Sequence, residues 1–200
     1  MLYLLPGMGA DHRMYGAAEW LGLTDARSID WPHFEGETTI AAVSERMIEE
    51  AGIVDGDVLV GSSLGGMVAC EIASRLKLRS LALIGSAIAP SEISRLLATL
   101  HPLAPLAPLE FVRRCAGKVP GELAEMFSQA DPGFVRAMCL AIFDWPGLDT
   151  DRITPVRIHG RHDRVIPPPA RVDCLVDGGH LIAMTHPAEC VRALRSLGIV

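Results

Sequence analysis

The chain has 200 residues, a formal net charge of −6, half of its residues hydrophobic and 21% charged. That length suits one domain with a substantial core. The composition excludes a disordered chain, and the charge supplies no basic footprint for a nucleic acid. The 5 cysteines are scattered, without a C-x-x-C pair and without zinc spacing. Cys70 and Cys139 fall in apolar helical patterns, so reduced, buried thiols in a cytoplasmic protein are expected. The N-terminus has no charged leader and only a very short apolar run before Pro6-Gly7, so no signal peptide is read. No apolar segment is long enough to span a membrane.

Residues 1–5 read as a buried strand, broken by Pro6-Gly7-Met8-Gly9. Asp11 or a neighbour caps a short helix carrying Met14, Tyr15 and Trp20. A second strand spans 26–31 and ends at Pro32. Thr38-Thr39 opens a helix with Ile40, Val43, Met47 and Ile48 at helical spacing. Asp55-Gly56-Asp57 then turns the chain into the apolar run Val58-Leu59-Val60. This run enters Gly61-Ser62-Ser63-Leu64-Gly65, and a helical pattern with Met67, Val68 and Ile72 follows to about Lys77. Residues 80–84 form the next strand, closed by Gly85-Ser86.

From about 90 to 150 the pattern changes. Pro102, Pro105 and Pro108 precede helical stretches near 109–116, 122–130 and 132–143, with no convincing strand. The segment reads as a short helical lid inserted over a site; an ordinary pair of sheet-covering helices is the alternative. Residues 155–159 return to a strand, followed by the loop Gly160-Arg161-His162-Asp163. A last strand over 171–176 leads into Asp177-Gly178-Gly179-His180, and an amphipathic helix covers 187–197. Strands alternating with helices at this spacing imply βαβ units and a parallel sheet, and the continuous apolar strands agree.

Gly61-Ser62-Ser63-Leu64-Gly65 is G-x-S-x-G between a strand and a helix, the setting in which the pattern marks a nucleophilic serine. The glycines leave room for strand and helix to close on the turn. The helix N-terminus brings the Leu64 N–H and the positive dipole end beside the Ser63 hydroxyl. A Gly/Ser turn packed only for close approach is the plainer reading. A catalytic serine needs a base, and the base an orienting acid. Ser63, Asp163 and His180 each fall in a loop at the carboxyl end of an expected strand, the edge where α/β sites form.

Three motifs in this order resemble the α/β-hydrolase superfamily over essentially the whole chain. They are Gly61-Ser62-Ser63-Leu64-Gly65-Gly66, the stretch from His159-Gly160 through Asp163 to Pro167, which is similar to an HGxxDxxxP acid loop, and Gly178-Gly179-His180. The resemblance implies one α/β-hydrolase domain over 1–200. Its mostly parallel sheet has about six strands with helices on both faces and a lid near 90–150. It assigns Ser63 as nucleophile, Asp163 as acid and His180 as base, and the N–H groups of Leu64 and Met8 as oxyanion hole. Asp177, Asp144 and Asp149 compete for the acid role. A histidine of ordinary pKa, about 6.5, accepts the serine proton near neutral pH, so activity is expected to fall below roughly pH 6. His12, His159, His162 and His186 read as exposed, packing or cap-region residues.

Two features depart from the family pattern. The chain starts at what is normally an internal strand, and Pro6-Gly7 stands where His-Gly is common. Pro167-Pro168-Pro169 replaces the helix that usually joins the last two strands, leaving Asp163 and His180 close in sequence.

The expected activity is carboxylic ester hydrolysis through an acyl-enzyme on Ser63, without cofactor or metal. The substrate would be a small molecule with an apolar group, which Ile93, Leu96, Leu97, Leu103, Leu106, Leu109, Phe111, Met126, Phe127, Met138 and Phe143 would favour. The same triad serves a thioesterase, amidase, C–C hydrolase or lyase, and the fold also accommodates a non-catalytic ligand binder or an interaction protein using 101–108. A haloalkane dehalogenase would need a carboxylate in place of Ser63. Oligomeric state is not legible.

Overall fold

The strands are β1 (Leu2–Leu5), β2 (Ala26–Ser28), β3 (Val58–Ser62), β4 (Ser80–Ile84), β5 (Val156–Gly160) and β6 (Cys174–Val176). β1 and β3 are buried at every position, β4 and β5 at all but the first. Such uniform burial requires cover on both faces, the condition of a parallel sheet. The six pair in the order β2-β1-β3-β4-β5-β6, every pair parallel. This computed structural model describes residues 1–94 and 121–200. The helix expected at 109–116, the proline-rich 101–108 and the apolar lid residues between 96 and 111 lie outside them.

The described helices are α1 (Ala18–Leu21), α2 (Ile40–Ala51), α3 (Leu64–Arg75), α4 (Gly121–Gln129), α5 (Pro132–Asp144), α6 (Ile182–Thr185) and α7 (Pro187–Ser196), with 3-10 turns at His12–Tyr15 and Pro90–Glu92. Local chemistry sets several ends. Thr39 Oγ1 accepts the Ala42 N–H at 3.1 Å to start α2, and Gly52, with φ at +71°, stops it. Asp131 Oδ1 accepts the Gly133 and Phe134 N–H groups at 2.7 and 3.1 Å to start α5, with Pro132 in the first turn.

Alternation along the strands divides the core in two. Tyr3, Leu5, Leu59, Leu81 and Leu83 join residues of α2, α3 and α5 in one layer. Leu2, Leu4, Val58, Val60, Ala82 and Ile84 join Tyr15, Trp20 and residues of α6 and α7 in the other. Each fully buried Leu, Val or Ile contributes about 1.5–3 kcal/mol. Helix α4 packs into the second layer and α5 into the first, through Met126 and Met138 respectively.

Two strands are shorter than their apolar runs suggest, each for a polar reason. β2 stops at Ser28 because Asp30 turns its carboxylate to the His12 N–H (2.8 Å) and Trp31 its indole to the Gly7 carbonyl (3.1 Å). β6 begins only at Cys174 because the Asp173 carboxylate, at 2.7 Å, takes the Arg157 N–H.

The strand order fixes where a site can form. From β1 the chain goes to β2 on one side, then crosses back to β3 on the other. The carboxyl ends of β1 and β3 therefore open onto the topological switch point, where α/β sheets bind ligands. The 6–9 turn follows one of these strands and Ser63 the other. Among the described residues no helix is long and apolar enough to cross a membrane.

Candidate active site

Ser63 joins β3 directly to α3 with φ +51° and ψ −120°, a conformation that costs a non-glycine residue roughly 1–3 kcal/mol. Its surroundings hold it there. Its N–H donates to the Ile84 carbonyl at 3.1 Å, and its own carbonyl accepts from the buried Ser86 hydroxyl at 2.7 Å. Gly61 and Gly65 are required by close approach. A Cβ on Gly61 would meet the Gly65 backbone, and one on Gly65 would meet the Leu5 and Pro6 carbonyls. The tightness of this turn lifts the hydroxyl above the sheet at the N-terminus of the 12-residue helix α3.

Asp163 follows β5. It is 4% exposed, and both oxygens of its carboxylate meet polar partners. Oδ1 accepts the Val165 and Ile166 N–H groups at 2.9 and 3.0 Å, leaving Oδ2 for His180. His180 follows β6 and is itself buried. The two loops are stitched together by Arg161 N–H to the Val176 carbonyl (2.8 Å) and His162 N–H to the Gly178 carbonyl (2.9 Å). Residues 161–173 connect β5 to parallel β6 without a helix. Pro167-Pro168-Pro169 accounts for this, since consecutive prolines cannot donate to a helical ladder.

The structure brings Ser63, Asp163 and His180 into one hydrogen-bonded line. His180 Nδ1 lies 2.8 Å from Asp163 Oδ2, and His180 Nε2 lies 2.9 Å from Ser63 Oγ. A carboxylate only accepts, so Nδ1–H donates to it, and Nε2 is left to accept the serine hydroxyl. This is the arrangement in which an imidazole takes a proton from the hydroxyl while a buried carboxylate holds the ring.

Leu64 is the first residue of α3, so its N–H has no carbonyl one turn back to bond. Met8 lies in the turn after β1. A Cβ built on its neighbour Gly7 would be 3.5 Å from Ser63 Cβ, so this turn flanks the hydroxyl. The Gly7 carbonyl is held by the Ala10 N–H and the Trp31 indole, both at 3.1 Å. The Tyr15 hydroxyl bonds the Leu5 carbonyl at 2.7 Å. From α5, the Cys139 thiol contacts Met8 Sδ at 3.5 Å.

The competing residues lie elsewhere. Asp177 is exposed and pairs with His162 at 2.9 Å. Asp149 caps its own turn through the Asp151 N–H at 3.1 Å, and Asp144 ends α5. His12 is exposed and bonded to Asp30, and His186 caps α7 beside Thr185. His159 is fully buried, with Nε2 at 2.7 Å from the Ile166 carbonyl and 3.5 Å from Asp163 Oδ2. Burial pushes the Cys70, Cys139 and Cys190 thiols up, which keeps them protonated near neutral pH.

Ser86 and His159 are the supporting residues that sequence spacing did not single out as such; the only signal was their position at strand ends. Spacing also missed that ligand-type atoms of Asp11, His12 and Asp30 come within 4.8 Å of one another. Arg13 already binds both oxygens of Asp11, and His12 binds Asp30, so this is an exposed ion-pair cluster.

The profile described as the alpha/beta hydrolase family matches residues 2–193. No curated protein matches the chain in sequence. Among solved structures, an esterase from Thermogutta terrifontis aligns over 98% of this chain and 88% of its own at 21% identity, with a TM-score of 0.68. A hydrolase from Oleispira antarctica aligns over 98% and 89% at 14% identity, TM-score 0.77. The enol-lactonase from Burkholderia xenovorans aligns over 100% and 91% at 18% identity, TM-score 0.70. At these identities the likeness is one of fold.

Proposed function

The chain belongs to the alpha/beta hydrolase family, and on that premise we propose that it hydrolyses a carboxylic ester through an acyl-enzyme on Ser63. The observation that carries the proposal is the continuous line from Ser63 Oγ through His180 to Asp163, at 2.9 and 2.8 Å.

In this reading Ser63 Oγ attacks the ester carbonyl as His180 Nε2 takes its proton. The resulting imidazolium is stabilised by Asp163, whose other oxygen is committed to backbone N–H groups. The carbonyl oxygen becomes an oxyanion that accepts hydrogen bonds from the N–H groups of Leu64 and Met8, each contributing about 3 kcal/mol to lowering the barrier. His180 gives its proton to the departing alcohol as the C–O bond breaks. Water then attacks the acyl carbonyl as His180 takes its proton, and His180 returns that proton to Ser63 Oγ as the acyl C–Oγ bond breaks and the acid leaves.

Helices α4 and α5, from the segment near 90–150, act as a lid on a small-molecule substrate. The Phe127 ring of α4 packs over Gly9 in the turn after β1, and α5 touches Met8. The test is turnover of matched oxygen esters, thioesters and amides by wild type and Ser63→Ala. Oxygen esters are expected to be turned over best, and only by the wild type. A preference for thioesters or amides would reassign the substrate class.

A further inference from the structure

A cavity of about 190 Å³ lies between the α4–α5 pair and the loops that follow β1 and β2. Its apolar walls include Trp31, Pro32, Phe34, Met126, Ala130 and Phe134. The Trp31 and Phe34 rings both lean on Phe134, with centroids 5.2 and 6.2 Å away and planes inclined by 42° and 71°. Rings at these separations and angles attract one another and present both faces and edges to a guest. An apolar cavity of about 150 Å³ holds one benzene molecule, so this one has room for a single six-membered ring and a short arm.

Trp31 ties the cavity to the reacting serine. Its ring forms part of the wall, while its Nε1–H donates to the Gly7 carbonyl at 3.1 Å. Gly7 in turn packs against Ser63, as its virtual Cβ at 3.5 Å from Ser63 Cβ measures. The cavity thus begins one side chain away from the elbow, on the side of the Met8 turn.

Asp11, Asp30 and Asp131 also border the cavity, and an aromatic box with an acidic rim suits an organic cation in principle. Each carboxylate already accepts hydrogen bonds from this chain through at least one oxygen. Arg13 binds both oxygens of Asp11, at 2.9 and 2.6 Å. The His12 backbone and ring nitrogens bind Asp30, each at 2.8 Å. Asp131 caps α5 at 2.7 and 3.1 Å. Trp31, Phe34 and Phe134 supply the aromatic wall, and His33 and Gln129 complete the polar rim.

We infer that this cavity binds a neutral, ring-sized aryl group of the substrate, making the enzyme selective for esters that carry one on the acyl or alcohol side. The inference rests on the ester-hydrolase reading above and narrows its substrate class.

The test compares kcat/KM for benzyl acetate and methyl phenylacetate with butyl acetate and methyl butyrate. The proteins are wild type, Ala130→Phe, which fills the cavity, and Phe34→Ala, which removes a wall; thermal melts check that both variants fold. Wild type is expected to favour at least one aryl ester over its linear counterpart by about tenfold or more, and both variants to shrink that ratio. A ratio near one, or a ratio unchanged by filling, overturns the inference while leaving ester hydrolysis intact. A cation arm compares choline acetate with neutral 3,3-dimethylbutyl acetate; a cationic preference abolished by Ala130→Phe also overturns it. If no ester is hydrolysed, the hydrolase reading has failed separately. Binding of benzyl alcohol to the wild type, followed by NMR and lost in Ala130→Phe, then decides the cavity alone, and absence of binding overturns it.

Discussion

His159 and Asp163 hold Ile166 from opposite sides. Asp163 Oδ1 accepts the Ile166 N–H at 3.0 Å, and His159 Nε2–H donates to the Ile166 carbonyl at 2.7 Å. A residue of β5 and the carboxylate itself thereby pin one turn, and the second carboxylate oxygen is left aimed at His180. His159 does this as a neutral imidazole. Its Nδ1 has no partner among the described residues, and burial pushes its pKa below the ordinary histidine value, outweighing the Ile166 bond and Asp163.

A histidine held neutral in the fold takes up its proton more readily when unfolded, so the unfolded state gains protons as pH falls below about 6.5. The stability it contributes is complete above that pH and declines as pH drops toward the folded-state value. Urea unfolding at about pH 7.5 and about pH 5.5 is expected to show the wild type losing more stability than His159→Gln. Equal losses would remove His159 as the source.

The acid is Asp163 in this scheme, and Asp177 serves as the control. Asp163→Asn is expected to lower kcat by ~10⁴-fold, because an amide no longer enforces the tautomer that leaves Nε2 free to accept. Asp177→Asn, altering an exposed residue paired only with His162, should change kcat by less than about twofold. Steady-state kinetics of the two variants decides between them.

Ser63 keeps a positive φ without being glycine, and removing its side chain should expose that cost. Ser63→Gly is expected to raise Tm by ~2–4 °C, equivalent to about 1 kcal/mol, while eliminating turnover. Calorimetry on the folded variant checks this. A lower Tm would mean that the side chain stabilises the elbow instead of straining it.

Glu92 joins the loop after β4 to β5 through two bonds with the buried Arg157 guanidinium, at 2.7 and 2.8 Å. Burial works to raise the Glu92 pKa, but those bonds and the Ile88 N–H hold it below the ordinary carboxylate value. Its contribution is therefore present above about pH 4.5 and lost as pH falls further. Glu92→Ala leaves Arg157 buried without its counter-charge and is expected to cost about 3 kcal/mol near neutral pH, measured by denaturant unfolding.

The parallel sheet was legible because β1, β3 and β4 are apolar at nearly every position, a pattern that two-sided cover explains. Ser63, Asp163 and His180 were legible because each stands in a recognisable loop after a strand. The supporting contacts were not. Ser86 meets Ser63 only because β3 and β4 pair in register at Ser62 and Ile84. Trp31 reaches Gly7 only because β2 lies beside β1. Both depend on strand order, which local spacing does not encode. The aromatic cavity likewise draws Trp31 and Phe34 from one loop and Phe134 from α5, far apart in sequence.

The most direct measurement of the central claim is intact-protein mass spectrometry after treatment with a fluorophosphonate, comparing wild type, Ser63→Ala and His180→Ala. An activated serine predicts one adduct on the wild type, none on Ser63→Ala, and much slower labelling of His180→Ala. No adduct on folded wild type, or equal labelling of Ser63→Ala, would contradict the claim that the Ser63–His180–Asp163 line makes a nucleophile.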